Sequence, residues 1–215
     1  FLVLAKAGAG LGIYHVPAKA DGVQMTAEPT ADGGFSAWLN FNNVKLPAAA
    51  CLATGAQAAA AIRTTLDYGI LANCAELLGN MERSLEMTLE YLKTRKQFGQ
   101  TIGSFQVLQH RAVDLWMKSQ VTKHTLFAAL KTATAPDVPP RARTLAASSI
   151  KARAAEVAHE MTNECIQLHG AIGYTDEYDL SLYANRSLAI APFLGTAADH
   201  RRRYGSLKQQ AGVSA

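Results

Sequence analysis

The chain has little of what builds a metal centre, a membrane span or a nucleic-acid reader. Its three cysteines, Cys51, Cys74 and Cys165, form no CxxC pair and stand beside no histidine cluster, which argues against a zinc site. No apolar run approaches the ~20 residues that cross a bilayer, and no secretory signal pattern is visible. Charged residues make up only 18%, low for a free-standing globule and in keeping with a chain that buries surface against partners. The net charge of +4 is concentrated in one dense run, Arg201-Arg202-Arg203. No groove-reading motif accompanies it, so nucleic acid is not an expected partner. The expectation for that run is a solvated last turn of a helix, favoured by the negative end of the dipole. Contact with a nucleotide phosphate is the competing reading. Cysteines without pairing signals fit a reducing, cytoplasmic setting.

What the chain does have falls into two parts. Over residues 1–54, short strand-like runs (Phe1 to Ala5, Gly12 to Val16, Phe35 to Phe41) are separated by Gly, Asp and Pro clusters at Gly8–Gly10, Ala20–Gly22 and Asp32–Gly34. These are too few strands to close a barrel or sandwich, so they predict a partial β-domain. From residue 55 to 215 the pattern becomes helical. Cys74, Leu78, Met81, Leu85, Leu89 and Leu92 form one apolar stripe. Phe105, Leu108, Ala112 and Leu115 mark a second helix, ending before the prolines at 136, 139 and 140, and Ala155, Ala158, Met161, Cys165 and Leu168 mark a third. A fourth is expected from Asp179 to about Leu207, interrupted by Pro192 and Gly195. The fold class is therefore mainly α, an up-down four-helix bundle preceded by a partial β-domain. The two apolar-face cysteines, Cys74 and Cys165, are expected in its core.

The densest segment is 91–110, YLKTRKQFGQTIGSFQVLQH. Arg95, Gln97 and Phe98 end one helical pattern, a Gly-containing turn runs from Gly99 to Gly103, and Phe105, Gln106 and Gln109 open the next. Such a corner holds a polyphosphate through charge-assisted hydrogen bonds with an aromatic beside it. Helical ion pairing of Arg95 needs an acid three or four residues back, and those positions hold Leu92 and Tyr91. A second stretch runs from Gln167 through Leu168, His169, Gly170 and Ala171 to Tyr178, where Gly170 lets the main chain approach a ligand closely. His110 and His169 are expected to be packed or surface histidines.

These two motifs, in this order, resemble the signatures of acyl-CoA dehydrogenases, flavoenzymes that desaturate acyl-CoA thioesters at the α,β position. The resemblance implies FAD as cofactor, acyl-CoA as substrate and assembly with acyl-CoA dehydrogenase subunits, as a homo- or hetero-oligomer. It implies that Arg95 and Gln97 contact the flavin dinucleotide of a neighbouring subunit, with Phe98, Phe105 and Gln106 beside them. It further implies that Gln167, Leu168, His169, Gly170 and Ala171 receive the dinucleotide from the other side, with Thr196 a further contact. The segment Arg95–His110 looks like those of the small subunits of two-component members. The resemblance covers nearly the whole chain but not the family's N-terminal helical domain or the first part of its β-domain. The chain thus reads as a fragment or a processed product.

One departure has large chemical consequences. Most of the family places its catalytic Glu immediately before a Gly-Thr pair, and the match here, Phe193-Leu194-Gly195-Thr196, puts Leu194 at that position. A minority places the base on the first helix of the domain, which corresponds to Gly69. Neither can take a proton. Asp67 and Glu76 are the nearest substitute carboxylates, and Ile70 stands where the family often has an Arg near CoA. The expected function is an acyl-CoA dehydrogenase-like flavoprotein lacking its own base and acting with a partner chain. The alternative is a non-catalytic helical oligomerisation module.

Overall fold

The computed structural model describes residues 1–8, 10–175 and 177–212, the side chains of 210–212 excepted. Ala9, in the first glycine cluster, and Asp176, in the second motif, lie outside the described residues. The chain divides into two compact units, Phe1–Leu66 and Asp67–Ala215.

The first unit holds β1 (Leu2–Ala7), β2 (Gly10–His15), β3 (Val23–Pro29), β4 (Phe35–Phe41) and β5 (Cys51–Thr54). β1, β2 and β5 form an antiparallel sheet in the order β1-β2-β5, with a register shift between Ile13 and Tyr14. β3 and β4 form a separate hairpin from Val23↔Phe41 to Pro29↔Phe35. Its large apolar side chains, Met25, Phe35 and Trp38, are exposed.

Helix α1 (Gly55–Thr94) begins in the first unit and continues through the second. α2 (Gln106–Ala133), α3 (Pro140–His169), α4 (Leu180–Ile190) and α5 (Ala197–Gly212) follow. Between α1 and α2 lies a miniature hairpin, β6 (Lys96–Gln97) and β7 (Gln100–Thr101). α3 starts with Pro140 at its first turn, where the missing N–H costs nothing, and stops at Gly170 with φ 66°. The core joins Ile70, Leu71, Leu77 and Met81 of α1 to Leu115 and Leu126 of α2 and to an alanine-rich face of α3. Cys74 and Cys165 are fully buried there, and burial pushes their thiols up to about 12 and about 11. No described helix is long and apolar enough to cross a membrane.

The interruption expected at Pro192 and Gly195 divides the fourth helix into α4 and α5, because Pro192 cannot continue α4 and Leu194 and Gly195 take φ of 62° and 111°. One expectation is corrected. The arginine run sits in the first half of α5, not its last turn, and each member has a carboxylate. Arg201 pairs with Glu156, Arg202 with Asp199, and Arg203 with Asp67 at 3.4 Å.

Candidate functional site

α1 ends at Thr94, and the chain turns back at once. Ile102 N–H donates to Arg95 O at 2.8 Å, closing the β6–β7 hairpin above the helix end. Its two turn residues, Phe98 (φ 53°) and Gly99 (φ 82°), both lie in the left-handed region that a two-residue hairpin turn requires. Glycine adopts it freely; a phenylalanine there is an outlier. Phe98 is also 91% exposed, and its ring meets the Phe105 ring edge-on with centroids 6.2 Å apart. Of the four non-glycine residues with positive φ among those described, Asn43 and Asp137 are types that tolerate it. The other two are Phe98, in the 91–110 motif, and Leu194, at the position that matches the family's catalytic Glu. Arg95, Gln97 and Gln106 are exposed, Phe105 is half-buried, and Arg95 has no ion-pair partner among the described residues.

The second motif arrives at the same end of the bundle. His169, the last residue of α3, stacks on Tyr91 of α1 at 4.5 Å and lies 4.8 Å from the Tyr178 ring. Its Nδ1–H donates to Cys165 O at 2.8 Å, leaving Nε2 buried with no partner among the described residues. Burial pushes this imidazole below its ordinary value, so it is neutral at pH 7. Within one chain, Tyr91 and His169 hold the two motifs at the same end of the bundle. Leu168 and His169 are core side chains, so that motif offers a ligand its Gln167 amide and the backbone at Gly170 and Ala171, all exposed. Gly170 has open space where a Cβ would stand. An unpaired guanidinium, amides, an exposed ring and unobstructed main chain suit an anionic dinucleotide, so this end fits FAD.

The Leu194 loop lies elsewhere. It follows α4, whose final carbonyls are held by Lys151: Nζ donates to Ala191 O at 2.9 Å, to Ile190 O at 3.3 Å and to Asn73 Oδ1. Asn73 Nδ2 also reaches Ile190 O at 3.2 Å, and His200 Nε2–H donates to Leu194 O at 3.0 Å. Lys151 is fully buried, and burial pushes its ammonium below the ordinary value. Hydrogen bonds to three oxygens favour its charged form and oppose that shift. Lys151 and His169 are about 27 Å apart along α3, from the α-helical rise per residue, so this loop and the Arg95 end lie at opposite ends of the bundle.

Leu194 meets α1. A Cβ built on Gly69 would lie 3.2 Å from Leu194 Cδ1, so the two family base positions face each other. Both substitute carboxylates have partners within the chain. Asp67 accepts from Thr144 Oγ1 at 2.6 Å, pairs with Arg203, and stands two residues, some 200° of helical turn, from Gly69. Glu76 pairs with Arg186 at 2.6 Å on an exposed surface, far from the dry setting that an α-proton base needs. Ile70 is core. Thr196 caps α5: Asp199 Oδ2 accepts from Thr196 N at 2.9 Å and Oγ1 at 2.6 Å, and Asp199 N returns a bond to Oγ1 at 3.2 Å. Its hydroxyl therefore already has a structural task.

Residues 58–205 match the model of the acyl-CoA dehydrogenase C-terminal domain. The chain belongs to the acyl-CoA dehydrogenase family. Among its relatives, the acyl-CoA dehydrogenase IpdE2 of Mycobacterium tuberculosis is 36% identical over 140 residues, covering 65% of this chain and 41% of that protein. The acyl-CoA dehydrogenase FadE27 of the same organism is 30% identical over 209 residues, covering 95% and 55%. The solved ChsE4-ChsE5 complex from M. tuberculosis superimposes with a TM-score of 0.83 at 30% identity, covering 96% of this chain and 54% of that one. The chain thus spans about half the length of the acyl-CoA dehydrogenases it matches.

Lys151, Asn73 and His200 were not singled out from sequence. The signal was there for Lys151: it stands on the apolar stripe of α3 in step with Ala147, Ala154 and Ala158. A lysine in such a stripe is buried only with partners.

Proposed function

We propose that the chain is a cofactor-holding subunit of an acyl-CoA dehydrogenase and that a partner subunit supplies the base. The contact that supports this reading is Leu194 against Gly69, two positions without a titratable group brought to one place. A positioned base contributes about 10²–10⁴ in rate, so the chain by itself is expected to be close to inert on acyl-CoA.

At the other end, Arg95 would pair with the pyrophosphate of FAD, Gln97 and Gln106 would add amide contacts, and Phe98 with Phe105 would pack against it. Gln167, Gly170, Ala171 and the backbones of Leu168 and His169 would line its far edge, and Thr196 would meet it from the opposite end of another subunit. Bound FAD supplies the acceptor for the hydride leaving the β-carbon. The separation of the two ends favours a dinucleotide shared between subunits, and the pairing of two proteins in ChsE4-ChsE5 is in keeping with a hetero-oligomer.

The competing reading, a helical module kept only for oligomerisation, draws on the apolar outward face of α2. Visible flavin absorbance of the purified protein separates the two. Anaerobic bleaching by acyl-CoA then tests the chemistry. Without a partner the unmodified chain should stay oxidised, and Leu194→Glu is the substitution expected to restore some bleaching. Fast bleaching by the unmodified chain, abolished by Asp67→Asn or Glu76→Gln, would overturn the assignment of the base to a partner.

A further inference from the structure

The loop between α4 and α5 is exposed above and locked beneath. Pro192, Phe193 and Thr196 face water. Its own backbone hydrogen bonds form two turns, Phe193 N–H to Ile190 O and Gly195 N–H to Pro192 O, both at 3.1 Å. Such a segment is ordinarily the mobile part of a fold. Here three carbonyls between Ile190 and Leu194 are held from below by side chains of three helices. Lys151 of α3 takes those of Ile190 and Ala191, Asn73 of α1 shares the Ile190 oxygen, and His200 of α5 takes that of Leu194.

All three holders are buried. Lys151 has one oxygen for each proton of its ammonium, the third being Asn73 Oδ1. The Asn73 amide is thereby oriented from both ends, its oxygen toward Lys151 and its nitrogen toward Ile190 O. A Cβ on Gly195 would lie 2.9 Å from His200 Nε2, so the main chain of the loop rests directly on that ring. Capping a helix C-terminus needs much less than this, a glycine or an exposed lysine being enough. An apolar residue in place of a buried ion often stabilises a fold as well or better. What a fully matched buried cation provides instead is one fixed arrangement of the groups around it.

We propose that Lys151 is a positioning residue: with Asn73 and His200 it fixes the main chain of residues 194–196 in the one arrangement that meets the FAD held at the Arg95 end of a neighbouring subunit. A binding site is precise when the groups that touch the ligand are locked by others that do not, and Lys151, which has no exposed surface, is of the second kind. The inference deepens the reading of the chain as a cofactor-holding subunit by naming what sets its second cofactor contact, and it rests on that reading.

The rate at which FAD leaves the whole chain, followed by flavin fluorescence, tests it beside hydrogen exchange of residues 191–196 and 91–110. Lys151→Met removes every donor while filling the same stripe. It should speed exchange in 191–196, leave 91–110 as in the parent, and raise the FAD dissociation rate by about 10-fold. Lys151→Arg, which restores the charge and the donors, should bring slow dissociation back. His200→Phe frees Leu194 O without touching the lysine and should act in the same direction as Lys151→Met, so the test stands even if Lys151→Met does not fold. Unchanged FAD dissociation in a chain whose 191–196 segment exchanges faster would make the lysine a helix cap and overturn the proposal. So would an equal loss from Lys151→Arg and Lys151→Met. A parent chain that takes up no FAD defeats the cofactor reading and this inference with it, whereas a parent that holds FAD no better than Lys151→Met defeats this inference alone.

Discussion

Gly69 and Leu194 occupy each other's space: a single methyl group on Gly69 would lie 3.2 Å from Leu194 Cδ1. Their energetics are therefore expected to be coupled. Gly69 is inside a helix, where alanine is ordinarily better by about 0.5–1 kcal/mol, yet the leucine crowds that alanine. Gly69→Ala should be near neutral alone and should stabilise once Leu194→Ala has removed the contact. Urea unfolding of the four proteins should give a coupling of about 0.5 kcal/mol or more. Strict additivity would mean that the two positions do not meet in solution.

The two kinds of arginine should separate in flavin retention. Arg95 has no carboxylate partner among the described residues, whereas Arg202 pairs with Asp199 on the surface of α5. A charge-assisted contact is worth roughly 1.5–3 kcal/mol, so Arg95→Ala should weaken FAD binding by about 10- to 100-fold. Arg202→Ala should change it little. Equal losses in fluorescence titrations would remove Arg95 from the site.

Phe98 should trade stability against grip. Its left-handed backbone costs roughly 1–2 kcal/mol relative to glycine, and its exposed ring recovers little of that within the chain. Phe98→Gly is expected to raise the flavin-free melting temperature slightly while lowering flavin retention. A destabilised Phe98→Gly protein would show that the ring is held by packing within the chain.

Acid should weaken the fold before any carboxylate is titrated. Burial holds His169 and His200 below their ordinary pKa, while in the unfolded chain both titrate near 6.5. Between that value and the lower folded one, the unfolded state binds more protons. Stability is therefore full above about pH 6.5 and falls as the pH drops toward the folded pKa, by at most about 1.4 kcal/mol per pH unit for each histidine. His169→Phe, which keeps a ring between Tyr91 and Tyr178, should flatten that slope. An unchanged slope in pH-dependent unfolding would assign it to other groups.

Much of the bundle could be read from periodicity, because Cys74, Met81, Leu115, Ala158 and Cys165 each sit where a three- or four-residue step puts them. The lone status of Arg95 was legible too, since its helical neighbours are Tyr91 and Leu92. What periodicity does not carry is a partner distant in sequence. Asp67 looked like a spare carboxylate until Thr144 and Arg203 claimed both its oxygens, and the arginine run gave no sign of its partners Glu156, Asp199 and Asp67. The split between α4 and α5 was marked by Pro192 and Gly195. The left-handed turn at Leu194 was not, because leucine carries no signal for positive φ.

The stacked rings of Tyr91 and His169 bind two loops that come from distant parts of the chain into one mechanical piece. Neither loop can drift without dragging the other, so a molecule seated across both is gripped or let go in a single step. Replacing Tyr91 with a small aliphatic residue would sever that linkage without touching a single predicted contact. Residence time would then be the quantity to change, well ahead of the rate of capture.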